Sequence, residues 1–454
     1  MVTLQAVLAA KEARRDRQDR LRQRFQLPVV SITINMPGVV KDYPILRQLC
    51  DYAVQEVKAR LAVLAEERVN LSTGPEALLA VSGDPREIKA IAVSIEEAND
   101  FGRLLDIDVF TVDGMLVSRH DQGAGRQCLV CGQPAIACIR EKRHGAEVLQ
   151  EAVRRLLEGF SAQLTRGITL AAQQLGALAV EAMLYEVTCT PAPGLVDRIN
   201  NGAHQDMDFF SFMSSTAALS LTMARCAQAG MQHQGSLPEL LPVLRHIGLE
   251  GEQVMLAATG GVNTHKGLLF SLGIVTAAAG WVSRQAQTAT VAATLTAVKA
   301  IVAGIVPKEL AGIADKNLPA LTAGERLYRQ YGITGIRGEM AAGLPTICRQ
   351  SLPALKEALA AGLSRNDALV HTLLLLMTCV EDTTVMHRHN PDKMRIWVKT
   401  QAAAVLAAGG MTTTAGRKAV AALDAEFITH NVSPGGAADL LAVTWFLYRL
   451  ENSY

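Results

Sequence analysis

The sequence predicts two parts of different class: an N-terminal α/β or α+β part, then a larger all-α part. Three observations carry this expectation. The chain has 454 residues, long for a single domain. Its first 150 residues mix short β-type runs with helical stretches. From about Ala162 onward, Ala-, Leu- and Gly-rich segments keep helical spacing with few β-branched alternations. A helical stretch around 146–164 bridges the two, so the boundary is expected near residue 160, giving parts of 1–160 and 161–454.

The elements follow in order. KEARRDRQDRLRQR (11–24) is a helix with seven cations and three anions. It is either a solvated face or a dock for an anionic partner. VVSITINMPG (29–38) reads as a strand ending in a Pro-Gly turn. Residues 45–67 have the spacing of an amphipathic helix. ALLAVSG (77–83) is a short apolar run stopped by Gly83-Asp84-Pro85. Within DIDVFTVDGMLVSR (106–119), Asp113-Gly114 lies between β-type runs and signals a hairpin. In the second part the breaks fall at PAPG (191–194), NNG (200–202), GG (260–261), YGITGIRG (331–338) and SPGG (433–436). Asp208, before FFSFM, is a candidate helix N-cap.

Composition excludes several classes. At 49% hydrophobic and 19% charged residues the chain is globular. Forty-four basic side chains against forty-three acidic ones give a formal charge of +1, which argues against nucleic-acid binding. The N-terminal apolar run is too short for a signal peptide. Gly267–Ser283 is uncharged, but it sits at the lower limit of bilayer-spanning length and contains Gly, Ser and Thr, as a core helix would. Eight dispersed cysteines fit reduced thiols in the cytoplasm. A cytoplasmic protein with no membrane partner is expected.

Two groups of residues carry chemistry. Asp106 and Asp108 are two apart on a predicted strand, so both side chains share a face. Such a pair can bracket Mg²⁺ and leave positions open for phosphate. In the second part, five polar segments interrupt an apolar background: Glu186–Asp197, Asn200–Asp208, Gly261–Gly267, Gly335–Pro345 and Glu381–His387. Their concentration at helix ends points to one shared site. Asn263, His265, Lys266 and Gly267 offer donors beside flexible backbone, and Arg337 adds a bidentate phosphate donor. Asp197, Asp206, Asp208, Glu339, Glu381 and Asp382 offer carboxylates for Mg²⁺ or proton transfer. Cys128-Leu-Val-Cys131, with Cys138 and His144, has the complement of a closed zinc site. The second pair is not C-x-x-C and the spacing to His144 is loose, so buried or free thiols are preferred to structural zinc.

Taken together, these motifs carry a family resemblance. YEVTCTPAPGLVDRINNGAHQDMDFF, GVNTHKGLLFSLG, YGITGIRGE and EDTTVMHR, in that order, make residues 165–450 resemble triphosphoribosyl-dephospho-CoA synthase. SITINMPGVVKDYP, RLLDIDVF and CLVCGQPAIACIR make residues 4–145 resemble apo-citrate lyase phosphoribosyl-dephospho-CoA transferase. Ala192 stands where the family pattern has Lys, and Thr384 where it has Asn. The resemblance implies a nucleotidyltransferase-like N-terminal fold with Asp106 and Asp108 as catalytic metal ligands. It implies ATP and 3′-dephospho-CoA as substrates, with adenine released by the C-terminal part. The product then passes to a serine of the citrate lyase acyl carrier (gamma) subunit, with loss of pyrophosphate. Physics assigns Glu339, Glu381 and Asp382 to base and metal roles, with Asp197 and Asp206 close behind, because leaving adenine builds positive charge at C1′. Three rivals compete: the same chemistry for malonate decarboxylase, a non-catalytic carrier-protein chaperone, and an ADP-ribosyl hydrolase.

Overall fold

The structure is a computed structural model describing residues 2–38, 40–119, 125–165, 168–286, 289–310, 321, 323–389 and 393–452. The chain divides into two compact units, Met1–Arg166 and Gly167–Tyr454.

The first unit is α+β. Its elements are α1 (Leu4–Phe25), β1 (Val29–Ile34), α2 (Pro44–Arg60), β2 (Ala62–Leu71), β3 (Gly74–Ser82), α3 (Pro85–Glu97), β4 (Leu105–Phe110), α4 (Ala135–Arg140) and α5 (Ala146–Thr165). The sheet order is β2-β3-β1-β4, and every pairing is antiparallel. The α/β alternative is therefore set aside. Helix α2 also stops at Arg60, short of the helix expected over 45–67, and 62–71 is a strand instead. Its residues alternate between exposed and half-buried along the whole strand. That period of two marks a strand, but a run rich in Ala, Val and Leu hid it. The Asp113-Gly114 turn does reverse the chain, yet only one bridge, Phe110 to Leu116, pairs across it.

One face of the sheet holds the core. Val30, Ile32, Leu79, Val81, Ile107 and Val109 pack against Leu49, Val54 and Val57 of α2, Ile88 and Ile95 of α3, and Val153, Leu156 and Phe160 of α5. Helix α5 thus contributes to the first unit's core. Helix α1 covers the other face through Leu21, against Val29 and Leu78. Its cations are not merely solvated. Arg17 pairs with Glu67 and Glu76, and Arg14 lies 3.7 Å from Glu76.

The second unit is all-α among its described residues. It contains α6 (Leu170–Thr188), α7 (Phe209–Gln232), α8 (Leu237–Ala258), α9 (Lys266–Gln285), α10 (Val291–Ile301), α11 (Ile305–Leu310), α12 (Ala323–Tyr331), α13 (Gly335–Ala341), α14 (Leu352–Ala360), α15 (Arg365–Cys379), α16 (Thr383–Arg388), α17 (Lys399–Ala407), α18 (Thr414–Thr429) and α19 (Gly435–Asn452). Asp208 caps α7 in a capping box with Ser211. Helix α9 is long and apolar enough to cross a membrane by composition, but 72% of its apolar window is buried inside the protein. Together with α6, α7 and α19 it forms the middle of a single large core.

Candidate active sites

In the first unit Asp106 and Asp108 share a face of β4. Their neighbours Leu105, Ile107 and Val109 are buried in the core, whereas both aspartates are half-buried. The register sets Asp108 opposite Ser31 and Asp106 opposite Thr33. β4 is an edge strand, and an unpaired edge needs cover. Here α3 supplies it: Ile107 N–H donates to Glu96 at 2.8 Å, and Lys89 donates to the Ile107 carbonyl at 2.7 Å. The same two side chains tie the edge to a charge network. Arg119 and Arg126 both pair with Glu96, and Arg126 also donates to Asp106 at 2.5 Å. Lys89 Nζ lies 3.7 Å from Asp108. The Asp108 carboxyl is held above its ordinary range, first by burial and then by Asp106, against Lys89, Arg126 and Arg14. An open cleft of about 510 Å³ adjoins this network, lined by Glu96, Asn99, Arg103, Arg119 and Arg126 among others. Lys89 and Glu96 were not singled out from sequence; nothing but their placement on α3 reveals them.

Cys128, Cys131, Cys138 and His144 also come together, with all four ligand atoms within 4.8 Å of one another. All three thiols are free, with Cys128 and Cys138 buried, and they cluster with the histidine despite the loose spacing. Helix α4 absorbs the loose spacing by carrying Cys138 back toward Cys131.

In the second unit, segments far apart in sequence meet at the start of α19. Asp382 accepts from Thr384 N–H (2.9 Å), Val385 N–H (3.3 Å) and Ala437 N–H (3.0 Å). It therefore caps α16 and fastens α19 at once. His204 Nε2 lies 2.8 Å from Ser433 Oγ, and Arg388 donates to the Ala203 carbonyl. Gly335 abuts Thr383, and Gly435 abuts Thr384. Gly194 has φ +72°, and a Cβ there would lie 2.1 Å from the Val432 carbonyl, so only glycine fits. Gly267, at the start of α9, faces Asp439: a Cβ would stand 2.3 Å from its Oδ2. Four of the five polar segments thus converge on residues 432–439, and the fifth reaches only Thr383, beside Asp382, through Gly335. From sequence, SPGG registered only as a helix break.

The carboxylates of this centre divide by their donors. Asp197 accepts from Thr190 Oγ1 and from the backbone of Ala192, Ile199 and Asn200. Asp382 is likewise held by backbone donors. Glu339 accepts from Thr346 N–H at 2.7 Å. Asp206 is exposed, 3.7 Å from His204, and Glu381 is exposed. Two others have no donor among the described residues: buried Glu186 and half-buried Asp439. Burial pushes Glu186 up to about 8. Asp439 is raised well above its ordinary value by burial, then by Glu186 and Asp382. Neither was on the sequence-derived set, although Glu186 opens one of the five segments.

The expected phosphate grip is only partly cationic. Lys266 is exposed and pairs with Glu252 at 2.5 Å. Its backbone N–H is capped by Asn263 Oδ1 at 3.1 Å. His265 is buried, and burial lowers it to about 3, so it is neutral at physiological pH. Its Nδ1 lies 2.7 Å from Ser215 Oγ, and its Nε2 has no partner among the described residues. It cannot act as a phosphate-binding cation. Arg337 is lowered by burial against the pull of Glu325, and Arg245 is lowered by burial and by Arg337. Two guanidinium groups thus stand near each other.

Comparisons with known proteins fit this architecture. Residues 172–454 match the family of ATP:dephospho-CoA triphosphoribosyl transferases. Residues 2–160 match apo-citrate lyase phosphoribosyl-dephospho-CoA transferase. The chain is 33% identical, over all of its length and 98% of the relative's, to Protein CitXG of Leuconostoc mesenteroides subsp. cremoris. It is 32% identical over its whole length, and 97% of the relative's, to Protein CitXG of Haemophilus influenzae. Over 59% of the chain and 86% of the relative, it is 44% identical to a 2-(5''-triphosphoribosyl)-3'-dephosphocoenzyme-A synthase of Pectobacterium atrosepticum. The protein is a bifunctional transferase. It belongs to the ATP:dephospho-CoA triphosphoribosyl transferase family and carries, ahead of that domain, the transferase domain that serves citrate lyase.

Proposed function

We propose that residues 161–454 make 2′-(5″-triphosphoribosyl)-3′-dephospho-CoA and that residues 1–160 transfer it to a serine of the citrate lyase acyl carrier (gamma) subunit. The protein would act in the cytoplasm. The observation that carries the reading is the convergence of four of the five polar segments on residues 432–439, where Gly267 abuts Asp439, in a unit whose family acts on ATP and dephospho-CoA.

In the synthase step the C1′–N9 bond of ATP breaks, and a bond forms between C1′ and the 2′-oxygen of dephospho-CoA. The hydroxyl proton is lost and adenine gains one. Glu186, protonated at neutral pH, supplies the proton to departing adenine. Asp439, which burial and Glu186 favour in the protonated form, acts as the base once ionised: it then faces the positive charge that develops at C1′ and takes the hydroxyl proton. Magnesium enters as the counter-ion of the ATP triphosphate and belongs to that substrate. Asp197 and Asp382, assigned to a metal from sequence, do not fit one, because backbone and hydroxyl donors already occupy their oxygens. Glu339, Glu381 and Asp206 line the approach. Lys266, Arg337 and the backbone of Asn263–Gly267 at the N-terminus of α9 hold the triphosphate.

The transfer step breaks the bond between the α- and β-phosphates, joins the α-phosphate to the serine oxygen and releases pyrophosphate. Asp106 and Asp108 fit Mg²⁺: they share one partly exposed face, and Asp106 disfavours the charge on Asp108. The ion would neutralise the departing pyrophosphate. Arg126 and Arg103, which line the adjoining cleft, orient the phosphates. A nucleotidyltransferase-like mechanism follows from these parts.

The test is to incubate the purified chain with ATP, Mg²⁺, dephospho-CoA and apo-carrier. Adenine, pyrophosphate and a carrier mass gain of one phosphoribosyl-dephospho-CoA are expected. Adenine without dephospho-CoA would instead indicate a hydrolase, and labelling of the malonate decarboxylase carrier in preference would reassign the partner.

A further inference from the structure

We propose that Cys128, Cys131, Cys138 and His144 form a closed structural Zn²⁺ site that braces the segment carrying Arg126 beside Asp106. The spacing is C-x2-C-x6-C-x5-H. Tetrahedral zinc has Zn–S near 2.3 Å and Zn–N near 2.0 Å, so its ligand atoms stand about 3.8 Å (S to S) and about 3.5 Å (S to N) apart. Cys131 Sγ lies 3.5 Å from Cys138 Sγ, and His144 Nε2 lies 3.3 Å from Cys131 Sγ. All four ligand atoms fall within 4.8 Å of one another. The two shortest edges fall a few tenths of an ångström below those of the tetrahedron, and the widest exceeds them by at most about 1 Å, a spread that bound metal would regularise.

The backbone independently has the form of a metal-binding knuckle. Cys128 N–H donates to the Gln133 carbonyl at 2.7 Å, and Gly132 turns the chain at φ +68°. Val130 N–H points at Cys128 Sγ at 3.5 Å, as amides around a metal thiolate do. Gln127 pairs with Pro134 to close the loop. After α4, Lys142 adopts φ +47° and brings His144 back to the thiols.

The segment has little else to hold it. Ile136 and Ile139 of α4 are 61% and 73% exposed. From residues 125–144, only Leu129 packs against the unit's main core among described residues. A stretch this poor in buried apolar surface needs a staple, and metal is one of the few available. Four protein ligands leave no open position, so the ion is structural. What it steadies is specific. Arg126 reaches Glu96 and Asp106, and Arg103 donates to the Cys128 carbonyl at 3.4 Å.

The full chain should be purified reduced, without chelator, and its zinc measured by mass spectrometry. About one equivalent is expected. Cys131→Ser should hold less than about a tenth of that while still releasing adenine. Cobalt loaded in place of zinc should give the intense visible absorption of a tetrahedral thiolate site. Should the variant misfold, thiol mapping of the wild type decides. Of its eight cysteines, Cys128, Cys131 and Cys138 should resist alkylation until a chelator is added. Wild-type protein that retains under about a tenth of an equivalent after zinc loading and dialysis overturns the site. So does Cys131→Ser that binds zinc as wild type does, or a Cys131–Cys138 disulfide in place of metal in the reduced protein.

Discussion

Replacing Glu186 with Gln tests the reactive pair through both stability and activity. Burial raises the Glu186 carboxyl from 4.5 to about 8. Below pH 4.5 the folded and unfolded chains both hold the proton. Between 4.5 and 8 the folded chain alone holds it, so stability is lost progressively as pH rises across that window. At about 1.4 kcal/mol per pH unit, the loss approaches a ceiling of about 5 kcal/mol. For a unit of this size that is about 10 °C in melting temperature. Glu186→Gln keeps the shape and cannot ionise. It should melt close to wild type at pH 5 and above it at pH 9, by up to about 10 °C. The remaining slope belongs to Asp439, which Glu186 itself helps to raise. Adenine release should fall by about 100-fold or more, because an amide cannot donate the proton. Thermal melts across pH 5–9, paired with an adenine assay on the same preparations, check both. Identical melting profiles for wild type and variant would show that the carboxyl is not protonated in the fold, and the acid role would go with it.

Other perturbations separate the two heads and the framework. Asp108→Asn should abolish carrier labelling and leave adenine release unchanged; a labelled carrier at the wild-type rate removes the metal assignment. Asp382→Ala strips buried backbone N–H groups of their acceptor at two helix starts, and denaturant unfolding should show a loss of about 3 kcal/mol. Gly267→Ala puts a Cβ 2.3 Å from Asp439 Oδ2, which must move aside. Adenine release should drop by at least about tenfold with the fold retained, and an unaffected rate would show that Asp439 can move without consequence.

Much of this was legible in the chain, for reasons that differ by residue. Asp106 and Asp108 shared a face because strand periodicity leaves no choice. Asp208 capped α7 because a short acidic side chain before an apolar run is a local signal. Residues 62–71 escaped because their alternation is weak in polarity, and only cross-strand pairing with β3 makes them a strand. Asp439 escaped for a deeper reason. It lies within an apolar helix, and its meeting with Gly267 and Glu186 is set by packing of α6, α9 and α19, which no local pattern encodes. The thiol cluster lay between these cases: the ligand types were visible, and the turn that closes them was not.

Counting donors separates the carboxylates that build the site from those free to react. A buried carboxylate that accepts several backbone N–H bonds is fixed in place, which suits a brace. Asp197 and Asp382 are of this kind, and Asp424, holding Gly194 N–H and Asn200 Nδ2, joins them. A buried carboxylate with no donor stays protonated, seeks a cation, or pairs with a substrate. The protein tolerates that desolvation at Glu186 and Asp439, close enough to raise Asp439, where four of the five polar segments converge. Structural need cannot explain it, since a Gln or Leu would pack there at lower cost. Asp197 and Asp382, conspicuous in the sequence motifs, hold loops, and the proposed chemistry falls to Glu186 and Asp439, which have no donor among the described residues.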